Sequence, residues 1–176
     1  MRKEIDDAEF WNQLANFHTS AWRLEQQPSY VVDYEDGQFA AFLSGHPQPL
    51  TENPELADWL DSIRRHTSAG RAVGRVRVVD NPITDYQRWL RWGDWWNLQA
   101  GEVIQYLPRA LAFRGGLFPD AQGPDWWLLD DERLMLMHFN AAGERTLVEL
   151  LVDDPLVQQA REWRAAATAL ARVAES

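Results

Sequence analysis

Arg75 and Arg77 stand two residues apart in Val73-Gly74-Arg75-Val76-Arg77-Val78-Val79, a run rich in β-branched residues. On a strand that spacing puts both guanidinium groups on one face. Two planar forks side by side suit a carboxylate or phosphate ligand, or ion pairs to acidic neighbours. Arg23 and Glu25 repeat the spacing in Trp22-Arg23-Leu24-Glu25. In a pocket, Arg23, Arg75 and Arg77 would hold an anionic group against an aromatic wall, and Glu25 or His138 would move protons. Tyr86 completes this candidate ligand-binding set.

A second candidate is aromatic. The chain has ten tryptophans, and four lie in Trp89-Leu90-Arg91-Trp92-Gly93-Asp94-Trp95-Trp96. On a helix, Trp89, Trp92 and Trp96 share one face, which reads as core. Trp95 falls elsewhere, near Arg88 and Arg91. An exposed tryptophan flanked by two arginines is a hot-spot pattern for a protein partner, and also a stacking platform for a ring.

Other polar residues read as structural. Asp130-Asp131-Glu132 fits a tight turn between strands. His18, His46, His66 and His138 have no metal-ligand spacing, and His138 alternates with Leu134 and Leu136 as a half-buried strand residue. No phosphate-cradling glycine loop and no nucleophile elbow is present. Arg114-Gly115-Gly116-Leu117-Phe118-Pro119 reads as a mobile surface loop. No cofactor and no metal are expected.

Composition narrows the classes. The 176 residues carry 27 acidic and 17 basic side chains, a net charge of −10, and no cysteine. Disulfides and thiolate metal sites are excluded. Nucleic acid would be repelled unless Arg64, Arg65, Arg71, Arg75 and Arg77 formed one stripe, so direct nucleic-acid binding is not expected. Met1-Arg2-Lys3-Glu4-Ile5-Asp6-Asp7 shows no apolar stretch after its basic pair, and no run approaches the roughly 20 apolar residues of a membrane span. The expectation is a soluble cytoplasmic protein without a membrane partner.

The elements that must position these residues are readable from caps and periodicity. Phe10, Leu14, Phe17 and Ala21 follow Asp6 and Asp7 at helical spacing. Tyr30-Val31-Val32 is β-prone. Phe39, Phe42 and Leu43 mark a short helix stopped by Gly45. Asn53-Pro54 starts a helix with Leu56, Trp59, Leu60 and Ile63 as its stripe, closed by Gly70. Thr84 with Gln87 is a capping box ahead of the tryptophan helix, which Gly101 ends. Val103 to Leu107, Trp126 to Leu129, Arg133 to Phe139 and Thr146 to Val152 read as strands, the last three as an antiparallel meander. Asp154-Pro155 starts a last helix with Leu156, Ala160, Trp163, Ala167, Leu170 and Ala174 on one face. The expected architecture is a single α+β domain over 1–176, an antiparallel sheet covered by amphipathic helices. Its parts are a mainly helical 1–70, a sheet-forming 71–152 containing the tryptophan helix, and a C-terminal helix in 153–176.

Trp22-Arg23-Leu24-Glu25, Gly74-Arg75-Val76-Arg77-Val78-Val79, Thr84-Asp85-Tyr86, and Trp126-Trp127-Leu128-Leu129-Asp130-Asp131 with Met137-His138-Phe139 together resemble an uncharacterised actinobacterial family, domain of unknown function 6879. The resemblance spans nearly the whole chain and implies no particular activity. The stretch from Trp92 to Asn97 is more aromatic than that pattern. The C-terminal half, from Val103-Ile104-Gln105-Tyr106-Leu107-Pro108 to the helix after Val152-Asp153-Asp154-Pro155, is similar to the C-terminal domain of actinobacterial helix-turn-helix regulators. That likeness implies partner binding or effector sensing.

Two functions are therefore expected. One is a regulatory or interaction protein that binds a protein partner through Arg88, Arg91 and Trp95, the partner being a helix-turn-helix regulator or a small toxin-like protein. The other is a binder of a small anionic ligand, or an enzyme, using Arg23, Glu25, Arg75, Arg77, Tyr86 and His138.

Overall fold

Helix starts fall where side-chain oxygens meet unpaired amides in a computed structural model that describes residues 1–117 and 123–173. Asp6 caps α1 (Asp7–Ala15), accepting from Glu9 N. Asn53 caps α3 (Pro54–Ser68), accepting from Glu55 N and Leu56 N. Thr84 and Gln87 form a reciprocal capping box on α4 (Asp85–Gln99). Asp154 caps α6 (Pro155–Leu170). Each cap satisfies amide donors that the helix itself leaves without partners. Two shorter helices, α2 (Asp36–Leu43) and α5 (Arg109–Arg114), start without a side-chain cap.

Among the described residues, eight strands form one sheet: β1 (Arg2–Glu4), β2 (Ser20–Glu25), β3 (Ala72–Val79), β4 (Val103–Pro108), β5 (Asp125–Leu129), β6 (Arg133–Phe139), β7 (Arg145–Val152) and β8 (Arg172–Val173). Their order is β1-β7-β6-β5-β2-β3-β4-β8. Most pairings are antiparallel, but β2–β3 and β3–β4 are parallel. The expected antiparallel sheet is thus mixed, parallel only where β2, β3 and β4 meet. Parallel neighbours cannot be joined by a hairpin and need a long crossover, usually a helix. The chain supplies two: α2 and α3 lie between β2 and β3, and α4 lies between β3 and β4. One further expectation is corrected: Tyr30 to Val32 is not a strand. Residues 1–70 contribute β1 and β2 to the sheet beside their helices. Of the expected surface loop at Arg114–Pro119, Phe118 and Pro119 lie outside the described residues, as does Ala174 of the C-terminal stripe.

Alternation along the strands splits the core in two. One face buries Ala21, Val73, Trp127, Leu129, Met135, Met137, Val148 and Leu150 under α1, α2, α3 and α4. The other buries Leu24, Val76, Val78, Leu107, Trp126, Leu128, Leu134, Leu136 and Leu151 under α5 and α6. Among the described residues, no helix is long and apolar enough to cross a membrane.

The turn between β5 and β6 is tied to the start of β2. Asp130 and Asp131 adopt φ of +57° and +59°, the paired left-handed conformation of a tight hairpin turn. Asp130 Oδ1 accepts the backbone N–H groups of His18, Thr19 and Ser20 at 2.8, 2.7 and 3.2 Å, and Oδ2 accepts Arg133 Nη2 at 2.6 Å. Partial burial pushes the carboxyl up. The amides and Arg133 outweigh that and hold it well below the usual carboxylate range. Replacing Asp130 with Ala is expected to cost about 2 kcal/mol at neutral pH, because charge-assisted bonds are lost and amides are stranded. Urea melts would measure it, and a loss under about 0.5 kcal/mol, the scatter of an ordinary surface substitution, would refute the anchoring role.

Candidate functional site

The arginine spacing on β3 places Arg75 and Arg77 on the sheet face that α4 covers. The parallel register sets Arg23 beside Arg75 and Glu25 beside Arg77. Arg23, Arg75 and Arg77 all point at Glu25. Arg75 Nη1 donates to Glu25 Oε2 at 3.1 Å, and Arg23 Nη1 lies 3.8 Å from the same oxygen. Arg77 Nη1 approaches Glu25 Oε1 to 2.5 Å as an ion pair without hydrogen-bond alignment.

Each arginine also has a second acid. Arg77 donates from Nε and Nη2 to Asp94 on α4, the closest contact being 2.6 Å. Arg75 Nε donates to Glu102, at the foot of β4, at 2.5 Å. Arg23 Nη2 donates to Asp125, the first residue of β5, at 3.3 Å. Hydrogen bonds extend the network outward. Tyr106 donates to Asp94, Asn97 donates to Glu102 at 2.7 Å, and Tyr30 donates to Asp125 at 2.5 Å. The Trp127 ring lies against Arg23 and Arg75 at 5.8 and 5.9 Å.

The electrostatics follow from burial and pairing. Burial pushes Glu25 up, but Arg23, Arg77 and Arg75 reverse this and hold it at about 2. Burial pushes Arg77 down, and Asp94 and Glu25 outweigh it, so the guanidinium sits well above its ordinary value. Asp125 goes the other way. Its desolvation exceeds the help of Arg23 and Tyr30, and its carboxyl is raised. Side-chain exposure of only 5% for Arg75 and 8% for Arg77 keeps water from screening these ion pairs.

Tyr86 meets the network from α4, and its hydroxyl donates to Glu35 in the short turn Asp33–Glu35. Burial raises Tyr86 well above its usual range, and Glu35 adds to the effect. Glu35 itself is pushed up to about 7, chiefly by burial and partly by Glu25, against the Tyr86 hydrogen bond and the charges of Arg77 and Arg23. His138 does not join. It follows Leu134 and Leu136 on the opposite sheet face, half-buried, with Nε2 2.8 Å from Glu149 Oε2. The sequence-predicted ligand set thus contains a converging core of Arg23, Glu25, Arg75 and Arg77, with Tyr86 adjacent and His138 apart. Asp94, Asn97, Glu102, Tyr106 and Asp125 were not foreseen. The sequence shows that Tyr106 shares a strand face with Ile104, but only the fold sets these two beside Arg77 and Arg75.

The network can neutralise and orient its own charges. It spans β2, β3, β5 and α4, so it fixes the crossover helix on the sheet. No group of three or more His, Asp or Glu residues among those described is arranged to hold a metal ion.

The outer face of α4 carries a separate stripe. Arg88, Arg91 and Trp95 follow one another at i, i+3 and i+7, and all are exposed. Trp95 is 53% exposed and stands edge-on to Trp96, their centroids 5.1 Å apart. Arg91 lies over the Tyr106 ring at 5.0 Å, and Arg88 pairs with Asp85. Trp89 is buried at 2% exposure. Trp92 and Trp96 are half-buried against Phe42 and each other.

Comparison with known proteins adds the fold and the family. The chain is similar in structure to a phospholipase D family member, Nuc from Salmonella typhimurium, with a TM-score of 0.57 and 11% identity over 100% of this chain and 97% of that one. At that identity the likeness shows the fold alone. No curated protein matches the sequence. The family model described as domain of unknown function (DUF6879) matches residues 8–175, almost the full length, and the chain belongs to that family.

Proposed function

We propose that this protein is an interaction module that docks a regulatory protein partner on the outer face of α4. The observation that carries the reading is the exposed stripe Arg88, Arg91 and Trp95, with an indole more than half exposed beside two guanidinium groups. Tryptophan and arginine are the side chains that most often dominate binding energy at protein interfaces. The fitting partner presents an apolar recess for Trp95 and carboxylates for the two arginines. A helix-turn-helix regulator is the first partner to test, with a small toxin-like protein as the next.

The competing idea, a small anion held by Arg23, Arg75 and Arg77, has the weaker support. All three guanidinium groups already face carboxylates, so an incoming anion would have to displace Glu25 or repel it.

The test is native mass spectrometry of protein purified from its own host, followed by binding measurements with the partner so recovered. Trp95→Ala is expected to weaken the complex by roughly 30-fold or more, and Arg91→Ala by roughly fivefold. Arg91 lies over the Tyr106 ring and Trp95 stands against Trp96, so thermal melts of both variants accompany the affinities. Unchanged affinity in both variants would remove α4 from the interface and sink the reading.

A further inference from the structure

A second feature lies at the far end of α3, away from the arginine network. A depression of about 290 Å³ opens there, lined by Ala15 at the end of α1, Ser62, Arg65, His66 and Ala69 on α3 and its cap, and Arg71 just beyond. It is close to the small end of the range for ligand-binding clefts, roughly 300–1,000 Å³. Its lining contains two arginines and no carboxylate. Neither Arg65 nor Arg71 has an ion-pair partner among the described residues, unlike Arg23, Arg75 and Arg77. In a chain of net charge −10, two adjacent unneutralised guanidinium groups are a local reversal of sign.

The cleft has a built floor. Arg71 Nη1 lies 2.9 Å from His66 Nδ1. Arginine only donates, so Nδ1 accepts, and the proton of the neutral ring sits on Nε2. The ring stacks on Phe17 at 4.0 Å. Arg71 also rests over the Phe17 ring at 6.0 Å. These contacts fix one guanidinium at the cleft wall, while Arg65 projects, exposed, from the last turns of α3.

We propose that this cleft binds a small oxyanion, a phosphate group free or carried on a small molecule, between the guanidinium groups of Arg65 and Arg71, with the Ser62 hydroxyl in reach. Planar forks match a tetrahedral oxyanion and give charge-assisted bonds. The helix dipole does not help, because the cleft sits at the carboxyl end of α3, where cations are favoured. The last carbonyls of α3 are taken by the amides of Ala69, Gly70 and Arg71. Binding therefore depends on the arginine pair, and losing either arginine should be felt strongly.

His66 is a built-in reporter. Burial lowers its affinity for a proton, and Arg71 and Arg65 lower it further. An anion lodged between those arginines cancels their repulsion. The experiment is an NMR titration of the His66 ring, with pH varied in inorganic phosphate and in chloride at matched ionic strength. Phosphate is expected to raise the His66 midpoint saturably, by roughly half a pH unit or more, while chloride leaves it in place. Arg65→Gln leaves the Arg71–His66 hydrogen bond and the Phe17 stack intact, so it should fold normally. It is expected to weaken phosphate binding by roughly tenfold. A midpoint that phosphate does not move, an equal shift in chloride, or undiminished affinity in Arg65→Gln would each overturn the site.

Discussion

Glu25→Leu is expected to destabilise the protein by about 3–5 kcal/mol, the cost of leaving buried charges without their partner. Glu25 is the acid on which Arg23, Arg75 and Arg77 converge. A leucine there leaves three guanidinium groups around an apolar side chain that accepts no hydrogen bond. Asp94, Glu102 and Asp125 still hold one arginine each, so the damage is concentrated at the centre of the network. Glu25→Gln keeps an acceptor oxygen and is expected to recover part of the loss. The pH dependence has a definite sign. Glu25 sits at about 2 in the folded protein against 4.5 as its ordinary value. Its contribution is therefore present above pH 4.5 and disappears as pH falls toward 2. Urea denaturation at pH 7 measures the first effect, and the same experiment across the acid range measures the second. A Glu25→Leu variant within about 1 kcal/mol of the parent would mean that water or rearrangement solvates the arginines, contrary to their burial.

The same network shows where sequence reasoning stops. Arg75 and Arg77 share a face because strand alternation puts them there, and that was legible. Their partners were not. Glu25 lies 50 residues from Arg75 and Asp125 lies 102 residues from Arg23, and only the strand order brings them together. The parallel pairing of β2 with β3 is what sets Glu25 beside Arg77, and it was missed because the β-rich C-terminal half suggested hairpins throughout. Helix boundaries fared better. Asn53-Pro54, Thr84 with Gln87, and Asp154-Pro155 are local chemistry, complete within four residues, and all three caps form. On α4, local pattern gave half an answer. Arg88, Arg91 and Trp95 read as an outer face, yet Asp94 between them points inward to Arg77. A charged residue in a helix reads as solvated unless its distant partner is known. His138 illustrates the opposite error. It has the right chemistry for the ligand set, but its alternation with Leu134 and Leu136 already assigned it to the other sheet face.

Glu35 sets the second large effect. The carboxyl is pushed up to about 7, first by burial and then by the charge of Glu25, and the Tyr86 hydrogen bond only partly offsets this. In the unfolded chain it returns to 4.5, its ordinary value. Between those values the folded protein holds a proton that the unfolded chain has released. Stability from this group is thus full below pH 4.5 and is lost as pH rises through 7. The ceiling on the loss is about 3 kcal/mol, from roughly 1.4 kcal/mol per pH unit, and the partial exposure of Glu35 reduces it. Glu35→Gln imitates the protonated acid and still accepts from Tyr86. Its stability relative to the parent should be near zero at pH 4.5, rise between pH 5 and 7, and level off above that. A difference that does not change with pH would show that Glu35 ionises freely in solvent. Glu35 directly precedes α2, whose Phe39 and Phe42 lie on Trp89 and Trp92 of α4. Trp89 and Trp92 in turn stand behind the outer face of α4 that carries Arg88, Arg91 and Trp95.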